Sequence, residues 1–91
     1  MNKEQIKILY DLVQKYGDKQ IIICIEEMSE LTKELCKNLR GYYNLDKIYE
    51  EMADVYIMLA QMQMLLQMDV EALEYMINKK IQRTKERLLD N

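Results

Sequence analysis

Carboxylates supply the one concentration of side chains in this chain that could do chemistry. The segments Glu26-Glu27-Met28-Ser29-Glu30 and Glu50-Glu51-Met52-Ala53-Asp54 each hold an acid pair spaced i, i+3, Glu27/Glu30 and Glu51/Asp54. In a helix that spacing puts both acids on one face, where like charges repel. On a helical wheel, Glu51 and Asp54 fall on the line continued by Met58, Met62 and Leu65. Glu27 and Glu30 are flanked by Ile23 and Leu31. A solvated charge face lies opposite an apolar stripe, whereas these acids lie beside one.

Their heights also correspond. If the two segments form an antiparallel helical hairpin that turns at Gly41, Glu27 and Asp54 lie level, and so do Glu30 and Glu51. Four carboxylates then converge in one notch between helices. Burial without a counter-charge would raise their pKa values and protonate some of them. An all-oxygen ligand set is what Mg²⁺, Mn²⁺ or Ca²⁺ prefers. The competing reading is a set of surface acids that coincide in height. Cations that could hold phosphates around such an ion are Lys33, Lys37 and Arg40, together with Lys79, Lys80, Arg83 and Arg87. Lys80, Arg83 and Arg87 share one face at i, i+3, i+7, which alone reads as a solvated helix surface and gains a phosphate-holding reading only beside the acidic notch.

The elements that must position these groups are helices. Turn signals occur at Gly17-Asp18, at Gly41 through Asn44 and at Met68-Asp69, which predicts helices over 3–15, 19–39, 45–67 and 70–88. Asp18, Asn44 or Asp46, and Asp69 are the expected N-caps. No alternating stretch supports a strand, so the fold class is all-α, a single four-helix domain over 1–91. Apolar stripes run along the second predicted helix (Ile21, Cys24, Ile25, Met28, Leu31, Leu35, Leu39), the third (Ile48, Met52, Val55, Leu59, Met62, Leu66) and the fourth (Val70, Leu73, Met76, Ile77, Ile81, Leu88). The first offers Ile6, Leu9, Tyr10 and Val13. Each stripe is expected to face a core.

Composition removes alternatives. The 91 residues include no histidine, proline or tryptophan, and their formal net charge is −3. Absence of histidine excludes Ser-His-Asp and Cys-His nucleophile systems and zinc sites with imidazole ligands. The charge balance offers no basic stripe for nucleic acid. The apolar run Ile21–Ile25 is far too short for a membrane span, and the first residues lack the apolar core of a signal peptide. A cytoplasmic location is therefore expected. Cys24 and Cys36 would lie about 18 Å apart on one helix, too far for a disulfide, and read as small buried hydrophobes. Five of the eight methionines lie between Met52 and Met68, suited to core gaps and adaptable subunit contacts.

The pattern Glu26-Glu27-x-x-Glu30 followed by Glu51-x-x-Asp54 resembles the signature of the all-α NTP pyrophosphohydrolases. That superfamily includes MazG-like proteins, dimeric dUTPases and phosphoribosyl-ATP pyrophosphatases. The resemblance runs from about Ile21 to Arg87, and its size and last helix are most similar to a short MazG-like module. It implies Mg²⁺-dependent hydrolysis (Mn²⁺ as a substitute) of a nucleoside or deoxynucleoside triphosphate to the monophosphate and pyrophosphate, in nucleotide-pool housekeeping. Carried onto this chain, Glu27, Glu30, Glu51 and Asp54 are the metal-binding and catalytic residues. Asn78, Lys80 and Arg83, with Lys33 and Arg87, are the substrate-binding set. Glu26 belongs to the motif but points about 100° from Glu27, so it supports the ligands from behind or lies on the surface. The resemblance further implies a homodimer or homotetramer, which suits a chain of this size. Tyr10, Tyr42, Tyr43 and Tyr56 could stack on a base, but core or interface roles are commoner for tyrosine in a small helical protein. The alternative function is a non-catalytic helical oligomerisation module that binds a divalent metal or a nucleotide.

Overall fold

The computed structural model describes residues 1–90 and contains four α-helices: α1 (Lys3–Tyr16), α2 (Lys19–Leu39), α3 (Leu45–Leu65) and α4 (Val70–Asp90). No strand occurs among the described residues. Each boundary has a local cause. α1 starts on a capping box, in which Asn2 Oδ1 accepts from the Gln5 amide at 2.8 Å and the Asn2 amide donates to Gln5 Oε1 at 2.9 Å. Gly17, at φ 56°, ends that helix. At the end of α2 the Gly41 amide donates to Asn38 O, and the Tyr42 amide to Lys37 O. That is a Schellman closure with glycine, at φ 96°, in the left-handed position. α3 ends in the same hydrogen-bond pattern, Gln67 to Met64 O and Met68 to Gln63 O. There the left-handed residue is Gln67, at φ 52°. α4 opens on Asp69, whose Oδ1 accepts from the Glu71 amide at 2.9 Å.

Two of the expected caps do not form. Asp18 adopts helical backbone angles after Gly17 and makes no side-chain cap. Asn44 stands at the N-cap position of α3 without capping it. Its amide instead reaches back to α2, donating to the Glu34 carbonyl and to Glu34 Oε1, both at 2.9 Å. That contact ties the turn to the helix it has just left. α3 also stops two residues short of the expected 67, and α4 runs two beyond the expected 88.

α2 and α3 form the principal pair; α1 packs chiefly on α3, and α4 makes at most marginal contact with any other helix. The α2–α3 register is marked by a buried hydrogen bond from Gln20 Nε2 to Gln61 Oε1 at 2.7 Å. Gln20 and Gln61 have the same midpoint, beside Gly41, that the acid segments predict. The core is small, comprising Leu9, Val13, Cys24, Ile48 and Met58. Much of each expected stripe lies outside it. Ile25, Met28, Leu35 and Leu39 on α2 are exposed, as are Leu59 on α3 and Ile77, Ile81 and Leu88 on α4. Cys24 is buried, but Cys36 is exposed, contrary to the expectation that both are covered. The four tyrosines considered for stacking are also exposed. No helix is long and apolar enough to cross a membrane among the described residues.

Candidate metal centre

Glu27 enters the site from the middle of α2, and Glu51 and Asp54 enter from the first half of α3. One carboxylate oxygen from each lies within 4.8 Å of the others. The hairpin register dictates this meeting, since Glu27 and Asp54 share the midpoint of the Gln20–Gln61 bond. Glu51 lies one turn from Asp54 on the same face, in line with buried Met58. Glu27 and Glu51 are half-buried, while Asp54 is exposed. The cluster therefore occupies a notch at the edge of the helix pair and is open on one side.

Its electrostatics are those of uncompensated acids. Partial burial pushes the Glu27 pKa up. The Asp54 charge and a carboxyl–carboxylate hydrogen bond to Asp54 add to that, followed by the charges of Glu51 and Glu30. Glu51 is pushed up first by burial, then by Asp54, Glu30, Glu34 and Glu50. No cationic side chain contributes to either shift. A divalent cation reverses this, because it favours the charged form of every acid around it. The donors present are hard oxygens without nitrogen or sulfur, a set that fits Mg²⁺ or Mn²⁺.

The remaining expected residues fall into three groups. Glu30 is exposed and stands outside the trio, although its charge reaches both Glu27 and Glu51. Glu26 is exposed. Lys33, on α2, is exposed and its charge reaches Glu34. Asn78, Lys80, Arg83 and Arg87 are exposed on α4, which is not packed against α2. Within a single chain, the acids and the α4 cations are not brought together.

Glu34 has a role the acid spacing did not single out. It is buried, accepts from Asn44 and pairs with Lys37 at 3.4 Å. The Asn44 hydrogen bond and then the Lys37 charge outweigh burial and hold its pKa below the usual range. Glu34 thus remains ionised beside the notch and adds its charge to the field on Glu51. The signal available was the row Glu27, Glu30, Glu34 at i, i+3, i+7. Comparisons of the chain with family models, with curated proteins and with solved structures returned no match.

Proposed function

We propose that the chain is a metal-dependent nucleotide pyrophosphohydrolase of the MazG-like kind, splitting (deoxy)nucleoside triphosphates into the monophosphate and pyrophosphate. The supporting observation is the meeting of Glu27, Glu51 and Asp54 within 4.8 Å, with no cationic side chain to offset them. These three would hold Mg²⁺ or Mn²⁺, with Glu30 reaching in from the next turn. A bound divalent ion supplies charge to draw in phosphate oxygens and to make a water more acidic.

The chain's own residues have separate tasks in this reading. A carboxylate on α2 accepts the proton of the attacking water, as a general base must. Water adds to phosphorus, an anhydride P–O bond breaks, and its electron pair leaves on the departing phosphate oxygen. Glu34, locked by Asn44 and Lys37, keeps the acidic field in place without being a ligand. Lys80, Arg83 and Asn78, with Lys33 and Arg87, would hold the phosphates. For the α4 members this requires either that α4 close onto the hairpin or that a neighbouring copy supply them. The homodimer or homotetramer that the resemblance implies would provide the second route.

The deciding experiment measures pyrophosphate release from a panel of standard and modified (d)NTPs with Mg²⁺ or Mn²⁺. Glu27→Gln and Asp54→Asn are expected to lower turnover by about 100-fold or more, the scale of losing an ion that stabilises transition-state charge. Failure of every triphosphate overturns the enzymatic reading. Metal-dependent melting without turnover would assign the notch to a binding module instead.

A further inference from the structure

The register of α2 on α3 is the one that charge opposes. It brings carboxylate oxygens of Glu27, Glu51 and Asp54 within 4.8 Å of one another, and no cationic side chain offsets them. Like charges at that range repel. In the chain without metal, other contacts must therefore hold the two helices in line. The buried apolar residues of the pair are Cys24, Ile48 and Met58. Cys24 is small and Met58 is unbranched and flexible, shapes that tolerate a shift of one helix on the other. Ile48 is rigid but lies at the turn end of α3.

The contacts that do discriminate are polar, and they recur by heptads. Gln20, Glu27 and Glu34 are seven residues apart on α2, so they share the seam that faces α3. Asp54 and Gln61 are likewise seven apart on α3. The acids thus have a polar contact about 10 Å along the axis on either side. Towards the turn it is Asn44 on Glu34, and away from it Gln20 on Gln61.

The glutamine pair guards the end that the turn does not tie. Gln20 is 5% exposed and Gln61 is 2% exposed. Gln20 Nε2 donates to Gln61 Oε1 at 2.7 Å, and Gln61 Nε2 donates to Met58 Sδ at 3.5 Å. Because Gln61 is two turns from Asp54 and Gln20 two turns from Glu27, any slide that parts the acids also parts the amides. Two buried amides would then lack partners, which is costly, whereas apolar side chains in their places would tolerate the shift.

We infer that Gln20 and Gln61 are positioning residues for the acid trio, holding α2 and α3 in the register in which Glu27, Glu51 and Asp54 can share one ion. Neither is a ligand. A buried polar pair of this kind is no more stabilising than an apolar pair of similar volume, but it specifies one alignment. The inference rests on the proposed metal centre, while the register itself can be read without metal.

Substitution of one and then both glutamines separates positioning from packing. Gln20→Met alone leaves Gln61 without its donor and should lower the urea midpoint. Adding Gln61→Met, close in shape to the native pair, should restore the midpoint to that of the parent or above. Stability returns, but alignment should not. Spin labels at Ile22→Cys and Leu59→Cys, both exposed sites, in a Cys36→Ser background should give one narrow metal-free distance in the parent. The methionine pair should give a broad or displaced one. Its affinity for Mn²⁺ alone, followed by electron spin resonance, should fall about tenfold or more despite the recovered midpoint. A leucine pair at 20 and 61 takes its place if the methionine pair does not fold. An apolar pair that keeps the parent's distance and Mn²⁺ affinity overturns the positioning role. A parent that binds no Mn²⁺ overturns the metal centre instead, and the metal-free distances still decide the register.

Discussion

α2, α3 and α4 are each 21-residue helices with apolar stripes, yet α2 and α3 pack closely on one another while α4 makes at most marginal contact within the chain. The difference lies in what each stripe meets. The hairpin has a glycine turn, a short connection and a buried glutamine pair that fix its register, so its inner face closes. α4 has the same kind of stripe, but Ile81 and Leu88 on it are exposed. An amphipathic face commits a helix to burial and does not say against which molecule.

The strongest test of the contrast is a pair of alanine substitutions. Met58 is buried between the helices, and Met58→Ala should cost about 2–4 kcal/mol, a cavity in a small core. Ile81 is 62% exposed within one chain, so Ile81→Ala should cost less than about 0.5 kcal/mol wherever the chain is monomeric. If two copies pair, the Ile81→Ala loss should grow with protein concentration while the Met58→Ala loss does not. Urea melts at two protein concentrations check both values. A large, concentration-independent loss at Ile81 would mean that α4 folds back onto its own chain in solution.

Next in size is the response of the hairpin to protons and to metal. Glu27 and Glu51 have folded pKa values above the ordinary glutamate range. On lowering the pH from neutral towards that range, the folded chain takes up protons at these two groups before the unfolded chain does. Stability without metal should therefore rise over that window and fall as the pH is raised through it. Glu34 acts in the opposite sense. Its pKa is lowered by Asn44 and Lys37, so its contribution is lost once the pH drops below the ordinary glutamate range towards its folded value. Melting temperature without metal should then peak at mildly acid pH. Adding Mg²⁺ at neutral pH should raise it, by about 2.7 kcal/mol at a hundredfold excess over the dissociation constant, and flatten the acid-side rise. Glu27→Gln should blunt the rise on acidification and the response to Mg²⁺, while α4 variants should change neither. A profile in which neutral pH is most stable without metal would contradict the uncompensated cluster.

The same contrast explains what the sequence made legible. The four helices followed from three turn signals, and the hairpin register followed from the spacing of Glu27, Glu30, Glu51 and Asp54 about Gly41. Gln20 and Gln61 reproduce that midpoint without having been used to find it. The convergence of Glu27, Glu51 and Asp54 was legible for the same reason, whereas the exposed position of Glu30 was not. A helical wheel gives azimuth and height but not how two helices diverge along their length. Asn44 looked like a cap because its type and place allow it, but buried Glu34 offered its amide a better acceptor. The stripes of α2 and α4 were read as core because periodicity marks an apolar face without showing that another helix of the chain covers it.

The smallest effect concerns the joint between the two regions. α2 and α3 close with the same hydrogen-bond pattern, yet the left-handed residue is Gly41 in one and Gln67 in the other. A side chain at positive φ costs about 1 kcal/mol, and glycine would remove that cost while adding freedom to the unfolded chain. Gln67→Gly should therefore stabilise by about 0.5 kcal/mol, a rise of about 2–4 °C in Tm for a chain of this size. Gly41→Ala should show the reverse sign, because alanine would have to adopt φ 96°. The gain at Gln67 is expected only while this residue keeps its left-handed conformation in the Schellman closure between α3 and α4. A destabilising Gln67→Gly would mean that Gln67 leaves the left-handed region in solution, so that the α3–α4 joint differs from the Schellman closure seen here.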